Sequence, residues 1–269
     1  RLMPSSMRRI SKLLLAGPLV AALLVGCSLL PEKIDETQGW SVQQLYSEAK
    51  DSMSSGNYKT AIEYLDKIQA RYPFGRYAQQ AQIDTIYCQY KDNEPDAAIA
   101  AADRFIKANP RHPYVDYAYY MKGLANFNRS NSLLERLAPT DRDKTDTNTA
   151  RQAYSDFAEL ARKFPDSKYA EDARQRMLFL HNSLAAYEIN VANFYLRRGA
   201  YVAALNRATY VLKTYSRTPA AEDALSIMTQ AYIKMDMPQL ANDSLRVLEH
   251  NYPQSPELPK LNALLKGTG

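Results

Sequence analysis

Glycine is scarce in this chain: 9 of 269 residues, where ordinary usage near 7% would give about 19. A β-sandwich needs glycine in its hairpin turns and a dinucleotide fold needs it in its phosphate loop, so composition alone favours helix. Histidine is scarcer still. His112, His181 and His250 are far apart in sequence, with none of the H-E-x-x-H type of spacing that brings two imidazoles to one metal. No metal site and no cofactor are expected. The chain also lacks G-x-S-x-G, G-x-x-x-x-G-K-[ST] and G-x-G-x-x-G, so it offers neither an activated serine nor a phosphate loop, and no catalytic residue is assigned.

Excess charge is missing as well. The formal net charge is +5, from 34 bases and 29 acids. Arg1, Arg8, Arg9 and Lys12 fall within residues 1–26, which contain no acid, leaving 30 bases against 29 acids for the remainder. A nucleic-acid binder needs basic excess on its folded part, so nucleic acid is not an expected partner. The most apolar stretch, Leu13 to Val25, is broken by Gly17 and Pro18 and is shorter than the about 20 residues that cross a bilayer.

That stretch follows Arg8, Arg9 and Lys12 and reads as the apolar core of a secretory signal. It ends in Leu24-Val25-Gly26-Cys27, which resembles a bacterial lipobox. The resemblance implies cleavage before Cys27 and covalent lipid on its thiol, which gives a signal peptide over 1–26 and a lipidated tether over 27–40. Two or more acyl chains, at roughly 0.8 kcal/mol per buried methylene, anchor a protein stably without spanning. Ser28 stands where inner-membrane lipoproteins of enterobacteria often carry Asp, and by that resemblance it implies the outer membrane. Cys88 is then the single thiol of the mature chain, in an apolar helical pattern that predicts a buried, inert group. Trp40-Ser41 with Gln44 three residues beyond the serine has the form of a capping box, so the first helix starts there.

From that point the chain repeats. Ala61 is followed by Leu65, Ile68 and Pro73; Ala98 by Ala102, Phe105 and Pro110; Ala153 by Phe157, Leu160 and Pro165; Ala204 by Ala208, Val211 and Ser216; Ala241 by Leu245, Leu248 and Pro253. A small residue lets two helices approach closely, positions four and seven further on share its face, and proline ends the helix. This register resembles the second helix of a tetratricopeptide repeat. The predicted fold is all-α: a solenoid of five helix pairs, about ten helices, with repeats 1–2 over 41–113, repeat 3 over 114–166, repeats 4–5 over 167–258, and a C-terminal tail over 259–269. The alanines are spaced 37, 55, 51 and 37 residues apart. The first excess predicts a polar loop at 131–148 within repeat 3; the second predicts one long first helix between Ser167 and Gly199.

Tyrosine is abundant, with 20 copies. Tyr72, Phe74, Tyr77, Tyr87, Tyr90, Tyr119 and Tyr120 are candidates for a groove that holds an extended peptide, since an aromatic body with a polar tip suits that use. The alternative for each is a core position between stacked helices, and the adjacent Tyr119 and Tyr120 cannot both face one side. Glu188 is the one carboxylate that could act as a general acid in a helical glycan-cleaving enzyme; the alternative is a structurally paired or solvated glutamate.

The lipobox, the five repeats, and the segments Arg71-Tyr-Pro-Phe-Gly75, Asp103-Arg-Phe-Ile106, Asn109-Pro-Arg-His-Pro113, Asp116 to Gly123 and Ser155-Asp-Phe157 together resemble the BamD (ComL/YfiO) family, from Cys27 to about residue 258. The resemblance implies a non-enzymatic outer-membrane lipoprotein facing the periplasm, in the β-barrel assembly machinery. It implies docking of the C-terminal repeats on a POTRA domain of the BamA-type barrel insertase, contact with accessory lipoproteins, and recognition of unfolded outer-membrane substrates by the N-terminal repeats. Arg207, with Asn206 and Arg198, is the implied insertase contact. A peptidoglycan-associated or cell-division repeat lipoprotein is the alternative with the same fold and anchor.

Overall fold

The computed structural model describes residues 35–135 and 147–267. Cys27 and the predicted signal peptide lie outside the described residues. Two units divide the chain, residues 1–41 and 42–269. In the first, a turn is closed by the Gln38 N–H on the Asp35 carbonyl at 3.0 Å and the Trp40 N–H on the Thr37 carbonyl at 3.0 Å. The second contains eleven α-helices and no strand among the described residues.

These are α1 (Val42–Ser54), α2 (Tyr58–Arg71), α3 (Arg76–Lys91), α4 (Pro95–Ala108), α5 (Val115–Glu135), α6 (Asn148–Lys163), α7 (Ala170–Arg197), α8 (Tyr201–Thr214), α9 (Ala220–Lys234), α10 (Pro238–Asn251) and α11 (Leu258–Lys266). The first helix begins directly after Ser41, and each repeat alanine lies on an even-numbered helix from α2 to α10. All five alanines are fully buried, and the residues four and seven positions later are at most 3% exposed. Phe105, Phe157 and Leu160 among them each contribute about 2–3 kcal/mol of apolar burial.

The turns repeat as faithfully as the helices. Within four pairs the chain enters the left-handed region five residues before the repeat alanine, at Gly56, Asn93, Gly199 and Asp236. The following N–H then reaches back to a carbonyl near the end of the first helix: Asn57 to Ser52, Glu94 to Gln89, Ala200 to Tyr195 and Met237 to Tyr232, at 2.8–3.0 Å. This reach-back bond satisfies a carbonyl that the helix end would leave open. Between pairs, Tyr72, Asn109, Phe164, Tyr215 and Tyr252 end the second helix, each N–H bonded to the carbonyl of the seventh residue after the alanine. Consecutive pairs therefore stack in one register, and the first helices touch across pairs: α1 with α3, α3 with α5, α7 with α9. They make up one face of the stack, the inner wall in the usual curvature of such solenoids.

Two long helices bracket the middle. Helix α7 has 28 residues, about 42 Å, within the segment predicted as one long helix. Helix α5 runs on through Glu135 into the segment predicted as loop from 131. Helix α6 starts at Asn148, and residues 136–146 between them lie outside the described residues. Gly123 sets the closeness of α5 to α6, since a Cβ there would fall 2.6 Å from the Phe157 ring. The segment predicted as a bare tail forms α11, which begins with a proline in its first turn, a position where the missing N–H has no helical role. Leu261 packs with Leu225, Leu245 and Leu248, so α11 covers the last pair.

Candidate partner-binding surfaces

The aromatic candidates divide into three environments. Tyr77, Tyr87, Tyr90 and Tyr120 are half-buried on the inner wall. Tyr72 and Phe74 lie in the turn after α2, with Phe74 90% exposed. Tyr119 is buried: its ring packs on Phe164 at 5.5 Å and its hydroxyl accepts from Lys163 at 2.7 Å. Its neighbour Tyr120 points the other way, stacked on Tyr169 at 4.7 Å, with its hydroxyl donating to Asp172 at 2.7 Å. The seven residues thus do not make one groove, and Tyr119 is held within the core between α5 and α6.

Sequence reasoning passed over Tyr46, Asp84 and Tyr169, which complete the inner wall together with Tyr117. Tyr46 on α1 donates to Asp84 on α3 at 2.9 Å and meets the Tyr77 ring edge-on at 5.4 Å. Asp84 also accepts from Gln80 at 3.1 Å and has Lys50 at 3.6 Å. The Tyr90 hydroxyl accepts from Asn128 at 2.7 Å, and Tyr117 lies 5.6 Å from Tyr169. Burial, reinforced by the hydrogen bond to Asp172, pushes the Tyr120 hydroxyl up to about 12, so it remains a donor across the physiological range. Cys88 lies fully buried on α3, where burial pushes its thiol up to about 12, as its apolar setting predicts. The one available signal for Asp84 is a charged residue flanked by Ile83 and, after Thr85, Ile86.

The second surface centres on Glu188 of α7, only 2% exposed. Arg207 of α8 donates to one carboxylate oxygen at 2.9 Å, and Arg151 of α6 donates to the other at 3.4 Å. Arg151 also donates to the hydroxyls of Tyr210 at 3.1 Å and Tyr215 at 3.3 Å. Burial raises the Tyr210 hydroxyl, but the Arg151 hydrogen bond and charge outweigh it and hold its pKa below the usual tyrosine value. Glu188 has a guanidinium donor on each oxygen, so it ties three helices together as a structurally paired glutamate. Arg207 keeps 44% of its side chain exposed, and a guanidinium has five N–H donors in a planar fork. Asn206 beside it is exposed. Arg198 stands apart at the end of α7, stacked over Phe194 at 4.5 Å.

The outer membrane lipoprotein family YfiO matches residues 39–248, more than half of the chain. The chain belongs to the YfiO family of outer membrane lipoproteins. It is 48% identical over 222 residues to the outer membrane protein assembly factor BamD of Neisseria meningitidis serogroup B, covering 82% of this chain and 83% of that one. The assembly factor BamD of Vibrio cholerae is 38% identical over 237 residues, 88% of this chain and 97% of its own. The Haemophilus influenzae protein of the same name is 36% identical, with 91% and 92% covered. Membership makes this an outer-membrane assembly factor of the BamD type and not an enzyme. A thermophilic TPR protein of Thermus thermophilus covers 84% of the chain at a TM-score of 0.36 and 13% identity.

Proposed function

We propose that this lipoprotein serves as a scaffold in β-barrel assembly, with its C-terminal pairs docked on a POTRA domain of a BamA-type insertase. Its inner N-terminal wall then receives unfolded outer-membrane substrates, and accessory lipoproteins of the same complex bind elsewhere on the chain. Cys27 carries the lipid that holds it to the inner leaflet of the outer membrane. The observation that carries the docking assignment is Arg207: buried Glu188 fixes one end of its guanidinium while 44% of the side chain stays exposed. Such a group is pre-organised for a partner's carboxylate, since less rotamer freedom remains to be lost on binding.

The near-neutral mature chain argues that docking rests on a few specific pairs and not on bulk attraction. Arg207→Glu should therefore weaken insertase binding at least about tenfold, but it also takes a partner from buried Glu188 and lowers the melting temperature; Arg207→Lys, which keeps a cation beside Glu188 and loses the planar fork, should weaken binding with a smaller loss of stability. Unchanged affinity would remove Arg207 from the interface while leaving the family assignment intact. For the inner wall, crosslinking from Tyr87 and Tyr90 to a nascent barrel strand is the corresponding test.

A further inference from the structure

The turns that join one pair to the next all lie on one edge of the solenoid, and in the first two pairs that edge is chemically unlike the rest. Residues 67–83 carry Lys67, Arg71 and Arg76 with no acid; residues 104–115 carry Arg104, Lys107, Arg111 and His112 with no acid. The same turns expose the most solvent-accessible large aromatics among the described residues, Phe74 at 90% and Tyr114 at 53%, together with Tyr72 at 36%. The opposite edge of the same pairs mixes the two signs, with Asp51, Asp92, Glu94 and Asp96 beside Lys50, Lys59 and Lys91 at or next to its turns.

The two turns are physically continuous. Gln79, one turn into α3, donates to Asn109 at 3.4 Å, and Asn109 donates to Gln82 at 3.2 Å. A shallow cleft of about 400 Å³ runs between them, lined by Gln79, Asn109, Arg111 and Pro113 among others. The next turn continues the strip with Lys163 and Lys168, against one exposed acid, Asp166.

Acid-free basic turns carrying exposed aromatic rings match the headgroup layer of an anionic bilayer, where cations meet phosphate and aromatic side chains sit at the boundary with the acyl chains. We infer that this edge of pairs 1 and 2 docks directly on anionic phospholipid, with Phe74 and Tyr114 as interfacial anchors and Arg76 and Arg111 as phosphate contacts. The inference rests on membership of an outer membrane lipoprotein family, which places the protein against a phospholipid leaflet. Such contact orients the solenoid on the membrane, a task that a lipid attached at a single residue cannot perform, and it leaves the inner wall and the Arg207 surface available to proteins.

The test uses the lipidated full chain, with Trp40→Phe to remove the one native indole, in vesicles containing phosphatidylglycerol and brominated acyl chains. A Phe74→Trp probe should be quenched strongly and a Lys59→Trp probe on the opposite edge weakly. Arg76→Glu combined with Arg111→Glu should reduce the docked population about tenfold, as should raised salt, because exposed charges are screened. Vesicles of phosphatidylcholine alone should give little quenching. Equal quenching of the two probes, or none at Phe74, would overturn the inference. So would a Phe74→Trp emission that ignores lipid but shifts when a peptide ending in an aromatic residue is added, an outcome that would assign the edge to peptide. Both arginines are exposed, so an unchanged melting curve for the double variant separates lost docking from lost fold.

Discussion

The inner wall of the first three pairs and the α6–α7–α8 junction solve the same problem by different chemistry. Both must hold helices together across pairs with polar groups inside. The wall sets tyrosine hydroxyls on carboxylates that also meet an exposed or half-buried cation, Tyr46 with Lys50 on Asp84 and Tyr120 with Arg176 on Asp172, and leaves half-buried rings at its surface. The junction uses one buried carboxylate between two arginines. A hydroxyl that loses its partner can turn to water, whereas a buried carboxylate that loses both guanidiniums has nowhere to place its charge. The contrast is in keeping with the proposed roles, a wall for varied, weakly held chains and a junction for one fixed partner.

The largest expected effect is at the junction. Arg151→Ala combined with Arg207→Ala strands Glu188 and should lower unfolding free energy by about 3–5 kcal/mol, read by urea titration; a loss under about 1 kcal/mol would mean that water reaches the carboxylate. Next is the seam between the two regions. Gly123→Ala drives a methyl group into the Phe157 ring and should cost about 1–3 kcal/mol, with no direct effect on either surface.

On the wall, Tyr46→Phe removes the α1–α3 hydrogen bond and should cost about 1–2 kcal/mol. Because α3 carries the buried thiol, Cys88 alkylation reads where that loss falls. A stacked-pair protein opens locally, so Tyr46→Phe should speed Cys88 labelling more than the junction variant does at equal global destabilisation. Equal acceleration would show that the two regions open as one unit.

The smallest effect concerns pH. Burial raises the Asp172 carboxyl, but the hydrogen bonds from Arg176 and Tyr120 outweigh it and the net shift is downward. Its stabilisation is therefore present above the unfolded value near 3.8 and is lost as pH falls through the lower folded value. Asp156 behaves oppositely. Burial raises its pKa against the pull of Asn126, Gln152 and Lys122, so its contribution is full below the unfolded value and is lost as pH rises through the folded one. Asp172→Asn should accordingly flatten the acid limb of a stability-versus-pH curve by under about 1 kcal/mol; a steeper limb would contradict the assignment.

What could be read in advance follows from range of interaction. The five alanines and their partners at four and seven residues are local signals with a helical period, and all reach the core. Pairing across helices is not local: Arg151 meets Glu188 37 residues away and Tyr210 59 residues away, and no spacing announces either contact. Asn93 and Asp236 take the left-handed turn positions that Gly56 and Gly199 occupy elsewhere, so counting glycines misses half of those turns. Helix α11 is hidden because proline reads as a stop, although Pro259 sits at a helix start. Tyr119 shows the limit for sites: the adjacent pair predicts opposite directions, but only the position of Lys163 and Phe164 tells which ring is enclosed.

The most direct test of the account is affinity purification of the native lipoprotein and of its Arg207→Glu variant from mild-detergent outer membranes. Mass spectrometry would identify both the partners and the N-terminus. The account predicts a lipidated Cys27 in both preparations and a POTRA-bearing barrel protein that is recovered with the parent chain and depleted with the variant. Recovery of peptidoglycan or cell-division proteins in place of the barrel protein would contradict it.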